Sequence, residues 1–175
     1  SGTGGFKIIG ENIDDRSGFG TASAGDVNGD GYDDVIVGAR FNDAGGSDAG
    51  AAYVVFGKAS GFSTVDLDDV ALGTGGFKII GEHVDDRAGQ AVSSAGDING
   101  DGFDDVIIGV GFNNDVDTYS GAAYVVFGKA SGFATVDLAD VALGTGGFKI
   151  LGEAAFDQAG YSVSSAGDVD GDGFD

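Results

Sequence analysis

The sequence contains no cysteine, no proline, no methionine and no tryptophan, and its only histidine is His83. Without cysteine there is no disulfide staple, no thiol nucleophile and no thiolate metal site. A single histidine leaves no nucleophile–base pair that could recur along the chain, so an enzyme of the serine–histidine type is not expected. Basic residues are also scarce. Eight Lys and Arg face 29 Asp and Glu, for a net charge of −21, which argues against nucleic acid and anionic membranes as partners and suits a chain that collects divalent cations. The longest apolar runs are a handful of residues, far short of the roughly 20 needed to cross a bilayer, so no membrane insertion is expected. No stretch keeps a 3.6-residue apolar period over three turns, which excludes a helical architecture. No signal peptide is visible, and the chain opens at Ser1 and stops at Asp175 inside a motif, so the sequence reads as part of a longer one.

What the chain does have is glycine, 36 residues of it, placed at fixed points between short apolar runs. Glycine so placed marks turns rather than disorder. The placement is periodic. Gly-Gly-Phe-Lys-Ile starts at Gly4, Gly75 and Gly146, an offset of 71 both times. Residues 1–71 align with 72–142 without a gap and with 49 identities in 71 positions, the mismatches gathering at 43–49 against 114–120 as a variable loop. A period of this length indicates a modular array.

Each full repeat offers four strands: Gly20–Gly25, Asp34–Ala39, Ala51–Phe56 and Phe77–Gly81. All are short and bounded by Gly, Asn, Asp or Ser, and all but the first are rich in β-branched or aromatic residues. Thr64–Leu72 fits either a short edge strand or a helical turn. Four antiparallel strands at a fixed period predict an all-β chain of β-propeller blades, about two and a half of them in a larger or self-assembling array. The expected division is an outer strand of a preceding blade in 1–18, a first blade in 19–82, a second in 83–153 and the start of a third in 154–175.

Each repeat also carries an aspartate-rich loop, at 26–34, 97–105 and 168–175. Calcium takes six to eight oxygen ligands, and alternate residues of a tight loop aim oxygens at one centre. In the first loop these are Asp26, Asn28, Asp30, the carbonyl of Tyr32 and Asp34, at positions one, three, five, seven and nine. The second loop offers Asp97, Asn99, Asp101, the Phe103 carbonyl and Asp105. The third offers Asp168, Asp170, Asp172 and the Phe174 carbonyl, and ends before position nine. Glycine at position six permits the sharp turn. An EF-hand closes with Glu at position twelve and is flanked by helices; here position twelve is Val37 or Ile108, inside an apolar run. A polar turn of Asp, Asn and Gly is the bland alternative, but several carboxylates in one turn repel each other without a cation.

The longer unit Gly18-Phe-Gly-Thr-Ala-Ser-Ala-Gly-Asp-Val-Asn-Gly-Asp-Gly-Tyr-Asp-Asp-Val-Ile-Val-Gly-Ala39 resembles the FG-GAP repeat of integrin α-subunit propellers and of many bacterial extracellular proteins. Gly50-Ala-Ala-Tyr-Val-Val-Phe-Gly-Lys58, repeated at 121–129, looks like the bacterial branch of that family. The resemblance covers essentially the whole chain. It implies a four-stranded propeller blade with calcium in the loop between its first two strands, on the residues named above. The pair that names the family stands only at Phe19-Gly20; the counterparts are Gln90-Ala91 and Tyr161-Ser162, and there is no Arg-Gly-Asp sequence.

These features point to a calcium-binding, extracellular, non-enzymatic module for adhesion or protein interaction, whose partners are calcium and either further copies of itself or an extracellular protein or glycan. One alternative is a structural subunit whose blades polymerise into a filament or surface layer; another is a propeller attached to a secreted enzyme. A glycosidase carboxylate pair is a weaker reading, because the loops already account for many aspartates. Tyr53, Phe56, Tyr124 and Phe127 are expected in the core between blades, His83 on the surface, and Arg16 and Arg87 in exposed ion pairs of small value.

Overall fold

The computed structural model describes residues 5–175. Residues 1–4, the beginning of the expected outer strand, lie outside the described part. The element order is β1 (Ile8–Ile9), β2 (Thr21–Gly25), β3 (Asp34–Ala39), β4 (Ala51–Val55), β5 (Val65–Asp66), α1 (Leu67–Ala71), β6 (Gly76–Ile80), β7 (Ala91–Gly96), β8 (Asp105–Val110), β9 (Ala122–Val126), β10 (Val136–Asp137), α2 (Leu138–Ala142) and β11 (Gly147–Leu151). β2, β3, β4 and β6 form one antiparallel sheet, and β7, β8, β9 and β11 a second with the same order. The four expected strands of each repeat are therefore present, with ends displaced by at most one residue. These are the four-stranded antiparallel blades that the repeat predicts. β2 and β7 each carry a bulge immediately before the acidic loop, at Ser23/Gly25 and at Ser94/Gly96, which bends the strand into the loop.

Thr64–Leu72 is both things the sequence allowed. Val65–Asp66 is a two-residue strand, and Asp66 then caps a five-residue helix, its side chain accepting from the Asp68 N–H at 3.2 Å. These short strands join neighbouring repeats. β5 pairs in parallel with β1, and β10 in parallel with β6, so each outer strand is extended by the repeat that follows it. An aromatic pair recurs at the same joint: Phe6 stacks on Phe62 and Phe77 on Phe133, both with centroids 4.6 Å apart.

Burial explains why the middle strands read as unbroken apolar runs. Both faces of β4 are covered. Ala52 and Val54 pack with Ile36, Phe77 and Ile79 against Val106, Ile108, Val110 and Tyr124 of the second sheet. Ala51, Tyr53 and Val55 pack with Val37, Leu67 and Val70 on the other face. Tyr53 and Tyr124 are fully buried, as expected, and Phe56 and Phe127 are half-buried. Each tyrosine hydroxyl donates to a glutamate 42 residues upstream, Glu11 or Glu82, which also accepts from Lys78 Nζ at 2.6 Å or Lys149 Nζ at 2.7 Å.

One strand expectation is corrected. Residues 162–167, the counterpart of β2 and β7, carry no strand. β2 and β7 each form a ladder with the strand after their loop, and the 175 residues contain no third copy of that partner.

Candidate metal centre

The three acidic loops share one internal design. In the first, Asp26 accepts from the N–H groups of Asp30 and Gly31, at 3.0 and 2.8 Å, and Asn28 Oδ1 accepts from Asp30 N–H at 2.8 Å. Asp30 Oδ1 in turn accepts from Tyr32 N–H at 3.0 Å. The second loop repeats this with Asp97, Asn99 and Asp101, and the third with Asp168, Asp170 and Asp172. The turn needs left-handed backbone at position six, and Gly31, Gly102 and Gly173 have φ of +89°, +90° and +95°. The side chains at positions one, three and five therefore converge on the inside of each loop. In the third, carboxylate oxygens of Asp168, Asp170 and Asp172 all lie within 4.8 Å of one another.

Position nine behaves differently. Asp34 is 1% exposed, and its two oxygens accept from Val27 N–H at 3.1 Å and Gly57 N–H at 2.8 Å. Asp105 does the same with Ile98 and Gly128, at 3.1 and 2.9 Å. Each thus ties the start of its loop to the turn after the third strand. Burial pushes both carboxyls up to about 6, against the backbone hydrogen bonds, and the nearby carboxylates at positions one and five push the same way. In the absence of a cation, the first two loops are thus electrostatically loaded sites whose buried member holds its proton more readily than a free carboxyl does.

The donor chemistry fits a hard divalent cation. Each oxygen used in the loop's own hydrogen bonds keeps a second lone pair, and calcium–oxygen bonds of about 2.3–2.6 Å place ligand oxygens within the separations seen in the third loop.

A residue that the spacing argument passed over is at position eight. Asp104 reaches back to the first loop, where its Oδ2 accepts from Asp26 N–H at 2.7 Å, and its own N–H donates to the Asp26 carbonyl at 3.2 Å. Asp175 does the same for the second loop, accepting from Asp97 N–H at 3.2 Å. The aromatic at position seven accompanies it: a Cβ on Gly29 would lie 2.5 Å from the Phe103 ring, and one on Gly100 2.1 Å from the Phe174 ring. The first two loops are therefore each clamped by the loop of the next repeat. The recurrence of Asp33, Asp104 and Asp175 at the 71-residue offset was the available signal.

The expected ion pairs of Arg16 and Arg87 are not formed; among the described residues neither guanidinium lies in salt-bridge range of a carboxylate. Both stack on aromatic rings instead. Arg16 lies 4.8 Å from the Phe41 centroid, and Arg87 stands 5.2 Å from Phe41 and 4.7 Å from Phe112. Arg40 adds contacts of 3.9 Å to Phe19 and 4.7 Å to Phe41. Such contacts hold without an acid partner because the ring face carries negative charge.

Among the described residues no helix is long and apolar enough to cross a membrane.

The profile of the FG-GAP repeat matches residues 19–55 and 88–126, the two segments that hold the intact loops and the first three strands of each sheet. Integrin alpha pat-2 of Caenorhabditis elegans is 29% identical over 170 residues, covering 88% of this chain and 12% of that protein. Integrin alpha-PS5 of Drosophila melanogaster is 29% identical over 171 residues, covering 94% of this chain and 15% of that protein. Phosphatidylinositol-glycan-specific phospholipase D of Bos taurus is 36% identical over 122 residues, covering 67% of this chain and 14% of that protein. The chain thus spans only a small part of the length of these relatives. Repeated loop, repeated sheet and repeated match agree: the chain carries FG-GAP repeats at residues 19–55 and 88–126 and is similar to integrin α chains.

Proposed function

We propose that this chain is a calcium-binding, non-enzymatic, extracellular propeller module that serves adhesion or protein interaction, with calcium in a structural role. The observation that carries the reading is the convergence of Asp26, Asn28 and Asp30, and of Asp97, Asn99 and Asp101, in loops that each also hold a buried carboxylate, Asp34 or Asp105. Asp26, Asn28, Asp30, Asp34 and the Tyr32 carbonyl would hold the first ion. Asp97, Asn99, Asp101, Asp105 and the Phe103 carbonyl would hold the second, and Asp168, Asp170, Asp172 and the Phe174 carbonyl a weaker third. The ion neutralises carboxylates that otherwise repel, so binding energy becomes folding energy. Blade limits of 19–82 and 83–153, with 1–18 and 154–175 belonging to neighbours, complete the reading.

Calorimetry tests it. Calcium should bind the first two loops with dissociation constants of about 10⁻⁴–10⁻³ M, and magnesium more weakly, because magnesium demands a tighter octahedron. Asp30→Ala should lower calcium affinity and the melting temperature in calcium. An Asp30→Ala chain that melts with the wild type both in saturating calcium and in chelator refutes a structural site.

The partner class is an extracellular protein or glycan, or further copies of this chain. For the 175 residues by themselves, self-association, and the filament-forming alternative with it, is supported by β11, which among the described residues has no strand on its outer edge where β6 has β10. Light scattering in calcium and in chelator decides this, since a compact monomer at high concentration in calcium overturns it. A second reading, a propeller attached to an enzyme, is favoured by the similarity to phosphatidylinositol-glycan-specific phospholipase D. The sequence flanking this segment separates the two.

A further inference from the structure

The two full repeats differ at 22 of 71 positions, and two of the differences meet at one spot. Position 12 is Asn in the first repeat and 83 is His in the second; position 44 is Ala and 115 is Asp. A framework of five residues around this spot is the same in both copies. Glu11, Asp15, Asn42, Tyr53 and Lys78 correspond to Glu82, Asp86, Asn113, Tyr124 and Lys149. In the first copy the framework is closed on itself, with Lys78 on Glu11 and Asn12 donating to Asp15 at 3.2 Å. In the second, His83 faces three carboxylates. Its Nδ1 lies 3.5 Å from Asp86 Oδ2 and 3.7 Å from Asp115 Oδ1, and its Nε2 lies 3.9 Å from Glu82 Oε1.

The carboxylate oxygens divide between two tasks. Lys149 takes Glu82 Oε2 and Asp115 Oδ2, and Tyr124 also donates to Glu82 Oε2. The opposite oxygens, Glu82 Oε1 and Asp115 Oδ1, are the ones turned to the imidazole. The lysine thus fixes the two carboxylates without consuming the atoms that face His83. Asp86 is held by Asn113 Nδ2 at 3.0 Å. One lysine against three carboxylates leaves two negative charges, the complement of a divalent ion. In a tetrahedral zinc site with bonds of about 2.0–2.2 Å, neighbouring ligand atoms stand about 3.4 Å apart. The pairs at Nδ1 are within a few tenths of an ångström of that.

We propose that His83, Asp115 and Glu82, with Asp86 in reach as a fourth ligand, form a second kind of metal site, selective for zinc or a similar imidazole-loving divalent ion. It stands apart from the acidic loops, and does not depend on their binding calcium. An imidazole nitrogen discriminates against calcium, which takes oxygen ligands, and in favour of zinc. The site is private to the second repeat, because the first has Asn12 and Ala44, and the third has Ala154 in the place of His83.

The test is zinc chloride titration in saturating calcium, which keeps the acidic loops engaged, read by calorimetry and by the ring resonances of the chain's only histidine. The variants are His83→Asn and Asp115→Ala, which install the residues that the first repeat already carries in the same fold. The expected result is one zinc ion per chain, shifted His83 ring signals, and at least a tenfold loss of affinity in each variant. Zinc affinity unchanged in His83→Asn assigns the binding to the acidic loops and overturns the proposal. So do wild-type ring signals that do not move on zinc addition, and so does the absence of any zinc heat.

Discussion

Phe77 and Phe148 stand at the same place in two copies of Gly-Gly-Phe-Lys-Ile, each on the fourth antiparallel strand of its sheet, yet one is 1% exposed and the other 37%. Ile79 and Ile150 part in the same way, at 1% and 45%. The first sheet has the second packed on its face and has β10 and Phe133 on its outer edge. The second sheet has no such neighbour among the described residues. Identical segments thus contribute differently to stability, because burial belongs to the contact between repeats and not to the repeat alone.

The sharpest way to break this comparison is to truncate both rings. Phe77→Ala should cost about 3–5 kcal/mol, the usual range for a buried phenylalanine, while Phe148→Ala should cost less than half as much. Urea denaturation of the two variants measures it. Equal costs would mean that the second sheet is covered in solution, by another copy or by another part of a longer chain.

The loops allow a matched comparison with the opposite expectation. Asp34 and Asp105 each hold two backbone N–H groups that are otherwise unpaired. Asp34→Ala and Asp105→Ala should each destabilise by about 2 kcal/mol or more, and by similar amounts, since stranding a buried donor costs about 1–3 kcal/mol. Asp→Asn at either position keeps an acceptor oxygen and should recover part of the loss.

The same two carboxyls set the pH response. Their folded-state values are raised from 3.8 to about 6. Between those values the cation-free folded chain binds more protons than the unfolded chain. The stability contributed by these groups is therefore fully present below pH 4 and is lost as pH rises through 6. A bound cation prefers the ionised carboxylates and opposes that loss. Melting curves across pH 4–7 in chelator should fall, and those in calcium should fall less or rise. A chelator series that rises with pH contradicts the raised values.

The smallest effect separates the clamp from its unclamped counterpart. Asp104→Ala removes the acceptor for Asp26 N–H and should cost about 1 kcal/mol, together with some calcium affinity in the first loop rather than the second. Asp33→Ala, which caps no loop among the described residues, should be near neutral. Equal effects of the two would remove the case for coupling between loops.

Much of this was readable in advance. β3, β4, β8 and β9 are β-branched or aromatic runs between glycine and aspartate turns, and a segment buried on both faces leaves little choice but strand. The acidic loops were readable because their geometry is local: Asp26 to Asp34 close on themselves through hydrogen bonds spanning two to seven residues. Three features were not fully readable, each for a spatial reason. Val65–Asp66 could be read only as an edge strand or a helical turn, and its pairing, like that of Val136–Asp137, depends on an outer strand that lies alongside. Asp104 looked like one more loop acid, since its partner is 78 residues away. Arg16 and Arg87 follow acids in sequence, but the rings of Phe41 and Phe112 come from other loops.

The sequence by itself therefore determined the unit: its period, its four strands and its acidic turn, all set by contacts within about 71 residues and by backbone preferences that any copy shares. Only the tertiary structure decided how the units join. The parallel outer pairing, the loop-to-loop clamp and the unequal burial of Phe77 and Phe148 depend on which surface meets which, and a repeating sequence writes the same residues whether or not a neighbour stands beside them.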